Sequence, residues 1–460
     1  MSIYDTTLRD GAQSEGVSFS TEDKIDILRH LDHFGIDFIE GGYPGSNPKD
    51  KAFFASAQKI DLEHAKLVGF GSTRRAHGEA EHDKGMHALL EAGTEWVCIF
   101  GKSWDLQLEK ALQCSLPEGV RMVEDSVSYL TDQGRKVIFD CEHFFDGWKH
   151  NSKFALDIVE TAANAGAEWI VLCDTNGGTF PDEITRAVKQ VMKRVDVPVG
   201  VHAHNDSELA VANSMAAIMA GATMVQGTIN GLGERCGNAN LCSIIPNLML
   251  KMGVRTNIQA VSDLTSVSRF VGEIANIDPD PKLPFVGRSA FAHKGGVHVS
   301  AVLKDSRTYE HMDPSLVGNQ RRILVSELAG TSSLLAKAKE LGIEAEKDSG
   351  KDMLEKLKAL ESDGFQFEAA EASLELLIRK LKGDQSPPFS LEGFRVFADV
   401  TGNNMISEAS VRFIDANGVL EHTAAHGNGP VNALDLAVRK ALMRFYPVLS
   451  EVRLIDYKVR

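Results

Sequence analysis

The feature that most constrains the fold of this chain is an alternation of short apolar runs with amphipathic segments of helical length, from Ile3 to about Gly253. We count eight candidate strands, which read IYDTTLRD, DFIEGGYP, KLVGFGS, WVCIFGK, KVIFDCEHF, WIVLCDTNG, PVGVHAHND and MVQGTING. Strands separated by helices favour a parallel sheet, and eight strands are the number that closes this kind of barrel. The pattern therefore predicts an α/β protein built on a (β/α)8 TIM barrel.

A chain of 460 residues has room for smaller modules after such a barrel. We predict the barrel in 1–255, a lid or flexible subdomain in 256–325, a helical subdomain in 326–383 and a small α+β module in 384–460. The helical part contains two runs, one near TSSLLAKAKELG and one from KDMLEKLKALES through LELLIRKLKG, and GDQSPPFS is a linker by composition. In the last part FRVFADV, SEASVRFI and VRLIDYKVR alternate like strands, and NGPVNALDLAVRKALMRFY predicts a helix between them.

Charge and hydropathy narrow the classes of function. The net charge of -15 argues against a nucleic-acid partner, because binding to phosphates needs a basic face. The sequence contains neither an apolar run near the ~20 residues of a membrane span nor the pattern of a signal peptide. We therefore expect a cytoplasmic protein without a membrane partner. The six cysteines form no CxxC pair, so we expect reduced and mostly buried thiols.

Unusual polar residues cluster at the C-terminal ends of the predicted strands. They are Arg9, Asp10, Glu142, Asp174, Thr175, His202, His204 and Asn230. In a (β/α)8 barrel this end carries the active site, whereas polar residues without a shared function would be scattered along the chain. The clustering therefore predicts an enzyme.

Two histidines of this set, His202 and His204, are two residues apart on a strand, so their side chains point to the same face. Such a pair by itself is as consistent with a hydrogen-bonded core pair as with a metal site. Asp10, at the end of the first predicted strand, adds the hard ligand that a divalent cation needs. Two histidines and an aspartate with open positions suit Mg, Mn or Zn in a catalytic site that would take a 2-oxo acid.

Three neighbours of this set have alternative interpretations. Arg9 is either an ordinary ion-pairing arginine or a group that stabilises the oxygen of an enolate or alkoxide, and its place beside Asp10 favours the second. The Thr175 hydroxyl could hold a substrate carboxylate or could cap the following helix. Glu142 could transfer a proton or could orient the metal's outer shell.

The motifs YDTTLRDGAQ, VHAHND, NGLGERCGN and AHKGGVH together resemble those of the isopropylmalate, homocitrate and citramalate synthases. These enzymes are a branch of the DRE-TIM metallolyase superfamily, and the similarity runs along the whole chain. The resemblance implies a metal-dependent Claisen-type condensation of acetyl-CoA with a 2-oxo acid, followed by hydrolysis of the thioester. It also implies a homodimer.

Residue by residue, the family's metal-site positions match Asp10, His202, His204 and Asn238. Its catalytic and keto-acid-binding positions match Arg9, Glu142 and Thr175. His298 in GGVH matches a histidine implicated in acid–base work on acetyl-CoA, and Tyr309 matches a nearby tyrosine. These two residues lie beyond the barrel, so the resemblance implies that a flexible segment, of the same or a neighbouring subunit, completes the site.

The segments GGYPGSNPKD, CEHFFDG, CDTNGG and HAHNDSELAVANS are similar to those of the citramalate synthases. Members of that group use pyruvate and feed isoleucine biosynthesis. Because pyruvate carries only a methyl group, the family's keto-acid pocket must be narrowed. By a rough alignment of strands, we expect Val68, Phe100 and Asp140 to line it.

The module in 384–460 resembles the family's regulatory domain, which binds a branched-chain amino acid. That domain is usually built of two similar halves, and this chain stops at DYKVR, roughly after the first half. The sequence therefore predicts a partial regulatory domain. It leaves open whether isoleucine or leucine inhibits the enzyme.

Three rival functions remain. An isopropylmalate or homocitrate synthase would run the same chemistry on a larger 2-oxo acid. A lyase like hydroxymethylglutaryl-CoA lyase would cleave a carbon–carbon bond, but the linker and the regulatory-like tail argue against it. A non-catalytic amino-acid sensor would need only a structural metal site, and such a site has no use for Arg9 or His298.

Overall fold

The computed structural model describes residues 1–325, 330–343, 347–367, 370–383, 388–401 and 404–454. The chain falls into two compact units, which are Met1–His293 with Ala301–Arg322, and Lys294–Ser300 with Ile323–Arg460. The division into four parts that the sequence suggested stays a prediction.

The first unit is a closed barrel of eight parallel strands, in which each strand pairs with the next and the eighth pairs with the first. The strands are β1 Ser2–Asp5, β2 Phe38–Gly42, β3 Lys66–Ser72, β4 Trp96–Lys102, β5 Lys136–Glu142, β6 Trp169–Asp174, β7 Val199–Ala203 and β8 Met224–Gly227. The predicted (β/α)8 barrel is confirmed. One boundary differs, because β1 ends at Asp5 and Arg9 and Asp10 therefore lie in the turn after it rather than in the strand.

A helix follows each strand. These helices are α1 Thr21–Phe34, α2 Pro48–Ala57, α3 Lys84–Glu91, α4 Leu116–Asp132, α5 Phe144–Asn164, α6 Pro181–Val191, α7 Ala210–Ala220 and α8 Leu241–Pro246. Shorter helical turns occupy Gly11–Gln13, Ala80–His82, Asp105–Gln107, Leu108–Leu112, Ile229–Gly231, Asn247–Lys251 and Val261–Asp263.

The ends of α1 illustrate how local sequence sets the boundaries of a barrel helix. The Ser20 side chain accepts a hydrogen bond from the Asp23 N–H at 3.1 Å, and the Asp23 carboxylate accepts one from the Ser20 N–H at 2.7 Å. This reciprocal capping box satisfies two amide donors at the helix start. The helix ends at Gly35, whose φ of 98° is left-handed and whose missing Cβ leaves room for the Asn257 carbonyl.

The barrel interior below the rim is filled with side chains. A buried cluster spans it: Tyr4, Phe38, Val68, Phe70, Trp96, Cys98, Ile138, Val171, Cys173 and Met224. A second and larger apolar cluster lies between the strands and the helices around them. Because the interior is packed, only the rim at the carboxyl ends of the strands leaves room for a substrate.

The segment after the barrel begins with a helix that the sequence interpretation missed, α9 Leu264–Ile274. It packs on α1, where the rings of His30 and Phe270 stack with centroids 4.0 Å apart. The rest of the segment is largely irregular, as predicted. Its short elements are the two-residue strands Ala292–His293 and Arg322–Ile323, the helix α10 Gly296–Val302, and the 3-10 turns Ser306–Thr308 and Pro314–Val317.

The second unit contains the predicted helical runs, the second of which is divided into two helices, and a small antiparallel sheet. Its helices are α11 Thr331–Glu340, α12 Lys347–Ser362, α13 Glu371–Lys382 and α14 Pro430–Leu442, and a 3-10 turn covers Pro447–Glu451. The sheet has the order β9 Phe389–Thr401, β10 Asn404–Asp415 and β11 Leu420–Gly427. α14 packs on this sheet through small residues such as Ala433, Ala437 and Ala441.

The sequence interpretation missed one strand of this module, β11, which precedes α14 along the chain. The last strand that it predicted, VRLIDYKVR, lies mostly outside the described residues. Of VRLIDYKVR, residues 452–454 form no strand, and 455–460 lie outside the described residues. The LEHTAAHG run was missed because its alternation is weakly apolar, and its pairing with β10 depends on backbone hydrogen bonds. Of the predicted linker, 384–387 lie outside the described residues, and Phe389 already begins β9.

Two expectations from composition can be compared with the structure. Among the residues that the structure describes, no helix is long and apolar enough to cross a membrane. All six cysteines are unpaired, and four of them are buried, whereas Cys114 is partly exposed and Cys236 is exposed.

A buried carboxylate on α1 holds the loop that leads into β3. Asp32 accepts hydrogen bonds from three successive backbone N–H groups, those of Glu63, His64 and Ala65, at 2.9, 2.9 and 2.7 Å. Charge-assisted hydrogen bonds of this kind are stronger than neutral ones. Asp32 therefore ties one barrel helix to the start of a barrel strand.

We expect Asp32→Ala to lower the free energy of unfolding by about 3 kcal/mol, because three backbone N–H groups, one in a buried and two in partly buried hydrogen bonds, lose their acceptor. Urea unfolding followed by tryptophan fluorescence measures this loss. The control is Asp26→Ala on the same helix, where the carboxylate is 60% exposed and its replacement should cost less than about 0.5 kcal/mol. Equal losses for the two variants would contradict the role of Asp32 in tying α1 to the start of β3.

Candidate active site and metal centre

A cavity of about 670 Å³ opens at the carboxyl ends of the barrel strands. The predicted site residues that line it are Arg9, Asp10, Phe100, Asp140, Glu142, Thr175, His202 and His204. Loops after β1 and β2 extend the cavity outward, past Gln13 and Asn47. Its volume far exceeds that of a three-carbon keto acid, so it leaves room for a second and larger reactant.

The innermost part of the cavity holds three buried ligand groups. One atom each from Asp10, His202 and His204 lies within 4.8 Å of the other two. The two Nε2 atoms of the histidines face each other at 3.2 Å, and His202 Nε2 lies 3.7 Å from Asp10 Oδ2. The i and i+2 spacing on β7 therefore does place both rings on one face, as the sequence indicated.

The ionisation of these groups suits a cation. Burial would raise the pKa of the Asp10 carboxyl, but Arg9 and the two histidines outweigh burial and lower this pKa to about 2. Burial lowers the pKa of His202, with a further contribution from Arg9, and burial together with His202 lowers the pKa of His204 to about 3. The centre thus combines a carboxylate with two neutral imidazoles, which are the forms that bind metal.

Two further polar atoms at this centre are suited to a cation. Asn238 donates from Nδ2 to Asp10 Oδ1 at 3.0 Å and to the Leu232 carbonyl at 3.2 Å, which leaves its buried Oδ1 without a hydrogen-bond partner. His204 Nδ1 is likewise buried and unpaired. Buried polar atoms without partners are rare in folded proteins. One carboxylate, two imidazoles and an amide oxygen form a donor set that fits a divalent metal.

Arg9 lies beside this set and is held from three sides. Its Nε donates to Glu40, its Nη1 donates to Asp10 Oδ2 at 2.9 Å, and its guanidinium stacks over the Phe70 ring at 3.7 Å. Glu40 is fully buried on β2 and also accepts from the hydroxyls of Tyr4 and Thr6. The arginine is therefore fixed in direction, which suits a group that must meet an oxygen at a defined place.

Glu142 and Thr175 lie on the rim, at the ends of β5 and β6. Glu142 forms an ion pair with Lys102 at the end of β4. The Thr175 hydroxyl accepts a hydrogen bond from the backbone N–H of His143 at 2.8 Å, so it does not cap the following helix α6. Its own proton remains available to another acceptor.

The apolar wall of the cavity differs in one position from the expectation. Phe100 lines it and stacks on Phe70, with centroids 5.5 Å apart, and Tyr43 meets Phe70 edge-on at 5.9 Å. Val68 was expected on this wall, but it is fully buried in the barrel interior and does not line the cavity. Because side chains alternate along a strand, Phe70, two residues farther towards the rim, takes that position.

Asp140 lies deeper on the same wall and connects to the metal-site histidine. Its Oδ1 accepts a hydrogen bond from Gln226 Nε2 at 3.0 Å, and Gln226 Oε1 lies 2.9 Å from His202 Nδ1. Burial and the nearby Glu40 carboxylate raise the pKa of Asp140 to about 7. The wall of the expected keto-acid pocket is thus connected, through Gln226, to the proposed metal ligand His202.

The two residues that the resemblance placed beyond the barrel lie in the segment that follows it. Tyr309 follows the turn Ser306–Thr308, is 48% exposed and does not line the cavity. His298 lies on α10, in the second unit. Their catalytic roles stay predictions.

Several residues around the site were missed by the sequence interpretation: Glu40, Tyr43, Phe70, Lys102 and Gln226. For Glu40 and Gln226 a signal was available. Each is a lone polar residue in an otherwise apolar strand, in FIEGG and MVQG, and buried polar groups need partners. The others could not be separated from ordinary core or surface residues without their neighbours in space.

Three family descriptions match successive parts of the chain. HMGL-like matches residues 1–271, Homocitrate synthase post-HMGL domain-like matches residues 285–364, and LeuA allosteric (dimerisation) domain matches residues 368–460.

The chain is also similar to curated proteins along almost all of its length. It is 55% identical to the (R)-citramalate synthase of Aquifex aeolicus, over 100% of this chain and 88% of that protein. It is 53% identical to the (R)-citramalate synthase of Synechocystis sp., over 100% of this chain and 86% of that protein. Identity to the 2-isopropylmalate synthase of Methanocaldococcus jannaschii is 34%, over 96% of this chain and 83% of that protein.

Among solved structures, the chain resembles hydroxymethylglutaryl-CoA lyase from Pseudomonas aeruginosa, with a TM-score of 0.53 and 18% identity. That match covers 66% of this chain and 97% of the lyase. An identity this low supports the barrel fold alone.

We expect the metal-free protein to bind one divalent ion per chain, and His204→Ala to weaken this binding more than about 100-fold, because an imidazole ligand is lost. Titration calorimetry with Mn²⁺ or Zn²⁺ measures both affinities. His143→Asn is the control, since His143 is buried nearby but does not line the cavity, and asparagine tolerates its φ of 58°. Similar weakening in both variants would contradict the assigned centre.

Proposed function

We infer that this chain, which belongs to the HMGL-like family, is a citramalate synthase that condenses acetyl-CoA with pyruvate to give citramalate and CoA. The observation that carries this function is the buried group of Asp10, His202 and His204, with Arg9 beside it, at the rim of the barrel. Curated (R)-citramalate synthases are 44–55% identical to the chain, whereas two 2-isopropylmalate synthases and a homocitrate synthase are 34% identical.

The residues that would hold a divalent ion, Mg, Mn or Zn, are Asp10, His202, His204 and Asn238. A metal bound there supplies Lewis-acid polarisation of the substrate's keto oxygen. The depressed pKa of Asp10 supports this assignment, because the carboxylate stays ionised without a bound cation.

Arg9 is the group that we assign to the developing negative charge. Two of its N–H donors are engaged by Glu40 and Asp10, which leaves other donors of the guanidinium for a substrate oxygen. The Arg9 side chain is only 13% exposed, and such burial strengthens a hydrogen bond of this kind. In the condensation, an enolate oxygen forms on the acetyl thioester and an alkoxide oxygen forms on the former keto carbon, and Arg9 serves one of these oxygens.

Thr175 and Glu142 serve the keto acid and the proton transfer in this proposal. The Thr175 hydroxyl receives a hydrogen bond from the His143 N–H, so its proton can be donated to the carboxylate of pyruvate. Glu142 is the acid–base candidate on the rim, where it forms an ion pair with Lys102.

The pyruvate methyl group is proposed to face Phe100 and Asp140, with Phe70 as a third wall residue. The resemblance further implies that His298 does acid–base work on acetyl-CoA and that Tyr309 assists it. Those roles, a homodimer, a cytoplasmic location and a place in isoleucine biosynthesis stay predictions. The match to a dimerisation domain at residues 368–460 supports the homodimer.

The direct test of the proposed function is release of free CoA thiol from acetyl-CoA in the presence of pyruvate, 2-oxobutyrate, 2-oxoisovalerate or 2-oxoglutarate. We expect release with pyruvate that EDTA abolishes and added metal restores, and no release by the nearly isosteric variant Asp10→Asn. Preference for a larger keto acid would move the chain to a sister activity. No release with any keto acid in metal-replete buffer would refute the condensing function.

We expect Phe100→Ala to admit larger keto acids, because it removes an aromatic wall from the cavity. The ratio of kcat/KM for 2-oxobutyrate to that for pyruvate should rise at least about tenfold, the usual effect of one methylene in an apolar pocket. Val68→Ala is the matched control, since Val68 lies in the barrel interior and should leave this ratio unchanged. A Phe100→Ala enzyme that stays strictly pyruvate-specific would mean that the methyl group faces another wall.

A further inference from the structure

We propose that Gln226 is a positioning residue that fixes the tautomer and direction of the His202 imidazole, and that Asp140 in turn fixes the orientation of the Gln226 amide. This inference rests on the metal centre of the proposed function and deepens it. It assigns a role to a residue on β8 that does not line the cavity.

The geometry of the three residues forms one chain of hydrogen bonds across the barrel interior. His202 Nδ1 lies 2.9 Å from Gln226 Oε1, and Gln226 Nε2 lies 3.0 Å from Asp140 Oδ1. Their exposures are 5%, 0% and 4%, so water does not compete for these bonds. The three residues come from β7, β8 and β5, strands that only the closed barrel brings together.

The chemistry of the Gln226 amide gives this chain of hydrogen bonds a direction. Asp140 accepts through Oδ1, so the NH₂ group of Gln226 must point to it, and the amide oxygen must point to His202. An oxygen facing Nδ1 requires the proton on Nδ1. The lone pair of the neutral imidazole then resides on Nε2, which is the atom that faces His204 and Asp10.

Neither of the neighbouring metal-site residues can fix the tautomer of His202 through its Nδ1 atom. Asp10 and His204 both approach His202 from the Nε2 side, at 3.7 and 3.2 Å. Within the part of the chain that the structure describes, Gln226 is the hydrogen-bond partner of Nδ1. Metal-binding histidines depend on such a partner, and its removal typically costs 10–100-fold in metal affinity or activity.

The consequence is a link between the keto-acid pocket and the metal. Asp140 lines the cavity, while its effect on His202 passes through Gln226. A substitution of Asp140 that alters the pocket wall should therefore also change metal affinity, even if it never contacts the ion. A wall residue without this link, such as Phe100, should change specificity alone.

The first test is Gln226→Met, which keeps the length of the side chain but removes both hydrogen bonds. We expect the metal-free variant to bind Mn²⁺ or Zn²⁺ about 10–100-fold more weakly than wild type in titration calorimetry, with an unchanged far-ultraviolet circular dichroism spectrum. Gln190→Met is the matched control, because Gln190 also accepts a hydrogen bond, from Trp148, but on α6 and away from the cavity. It should bind metal like wild type.

The second test rebuilds the chain of hydrogen bonds with different side chains. Gln226→Glu alone keeps an acceptor for His202 but sets a carboxylate against Asp140, so we expect weak metal binding. Adding Asp140→Asn supplies an amide donor to the introduced carboxylate in the double variant and should recover most of the lost affinity. A residue that only filled space would show no such rescue. This test also keeps the inference open to refutation if Gln226→Met fails to fold.

The outcomes separate this inference from the proposed function. If wild type binds metal and Gln226→Met binds it equally well, the positioning role is overturned while the metal centre stands. If the double variant binds metal no better than Gln226→Glu, the direction assigned to the chain of hydrogen bonds is wrong. If wild type itself binds no divalent metal, the metal centre fails, and the inference fails with it.

Discussion

The pairing of β1 with β8 is the interaction on which the rest of the first unit depends. Ser2 to Asp5 pair in register with Met224 to Gly227, and this closes the sheet into a barrel. Closure brings the turn that carries Asp10 next to the histidines of β7, although roughly two hundred residues separate them along the chain. An open sheet with the same strands would leave these ligands at opposite edges. The metal centre is therefore a product of the closed barrel.

The cost of placing charges inside this barrel is offset by pairing. Glu40 receives hydrogen bonds from Tyr4, Thr6 and Arg9, and Arg9 also contacts Asp10, so each buried charge has a counter-charge or a donor. Removing one partner from such a group leaves an uncompensated buried charge, which costs several kcal/mol. The same network holds the guanidinium in place beside the metal ligands. The stability of the barrel rim and the orientation of the Arg9 guanidinium thus depend on the same side chains.

Much of the fold could be predicted from sequence because its signals are local. The strand runs, the polar residues at their ends and the HxH spacing are all visible within a few residues. The predictions failed where the local signal is weak, or where the distance of a residue from the barrel rim decides whether it lines the cavity. LEHTAAHG has little apolar alternation and was missed as β11, while Val68 and Phe70 occupy the same face of β3 and differ only in distance from the rim. Whether a residue lines a cavity or fills a core depends on depth, which alternation along a strand does not specify.

By itself, the sequence determined the (β/α)8 architecture, several of the residues that meet at its rim and the family to which the chain belongs, because periodicity and motifs are properties of the chain alone. Only the tertiary structure decided how the buried groups pair. Glu40 on β2 holds Arg9, and Gln226 on β8 connects Asp140 on β5 with His202 on β7. The physical reason is that a buried polar side chain takes its partner from whichever strand lies across the barrel. Strand order, register and depth fix that partner, and none of them is encoded within a single segment.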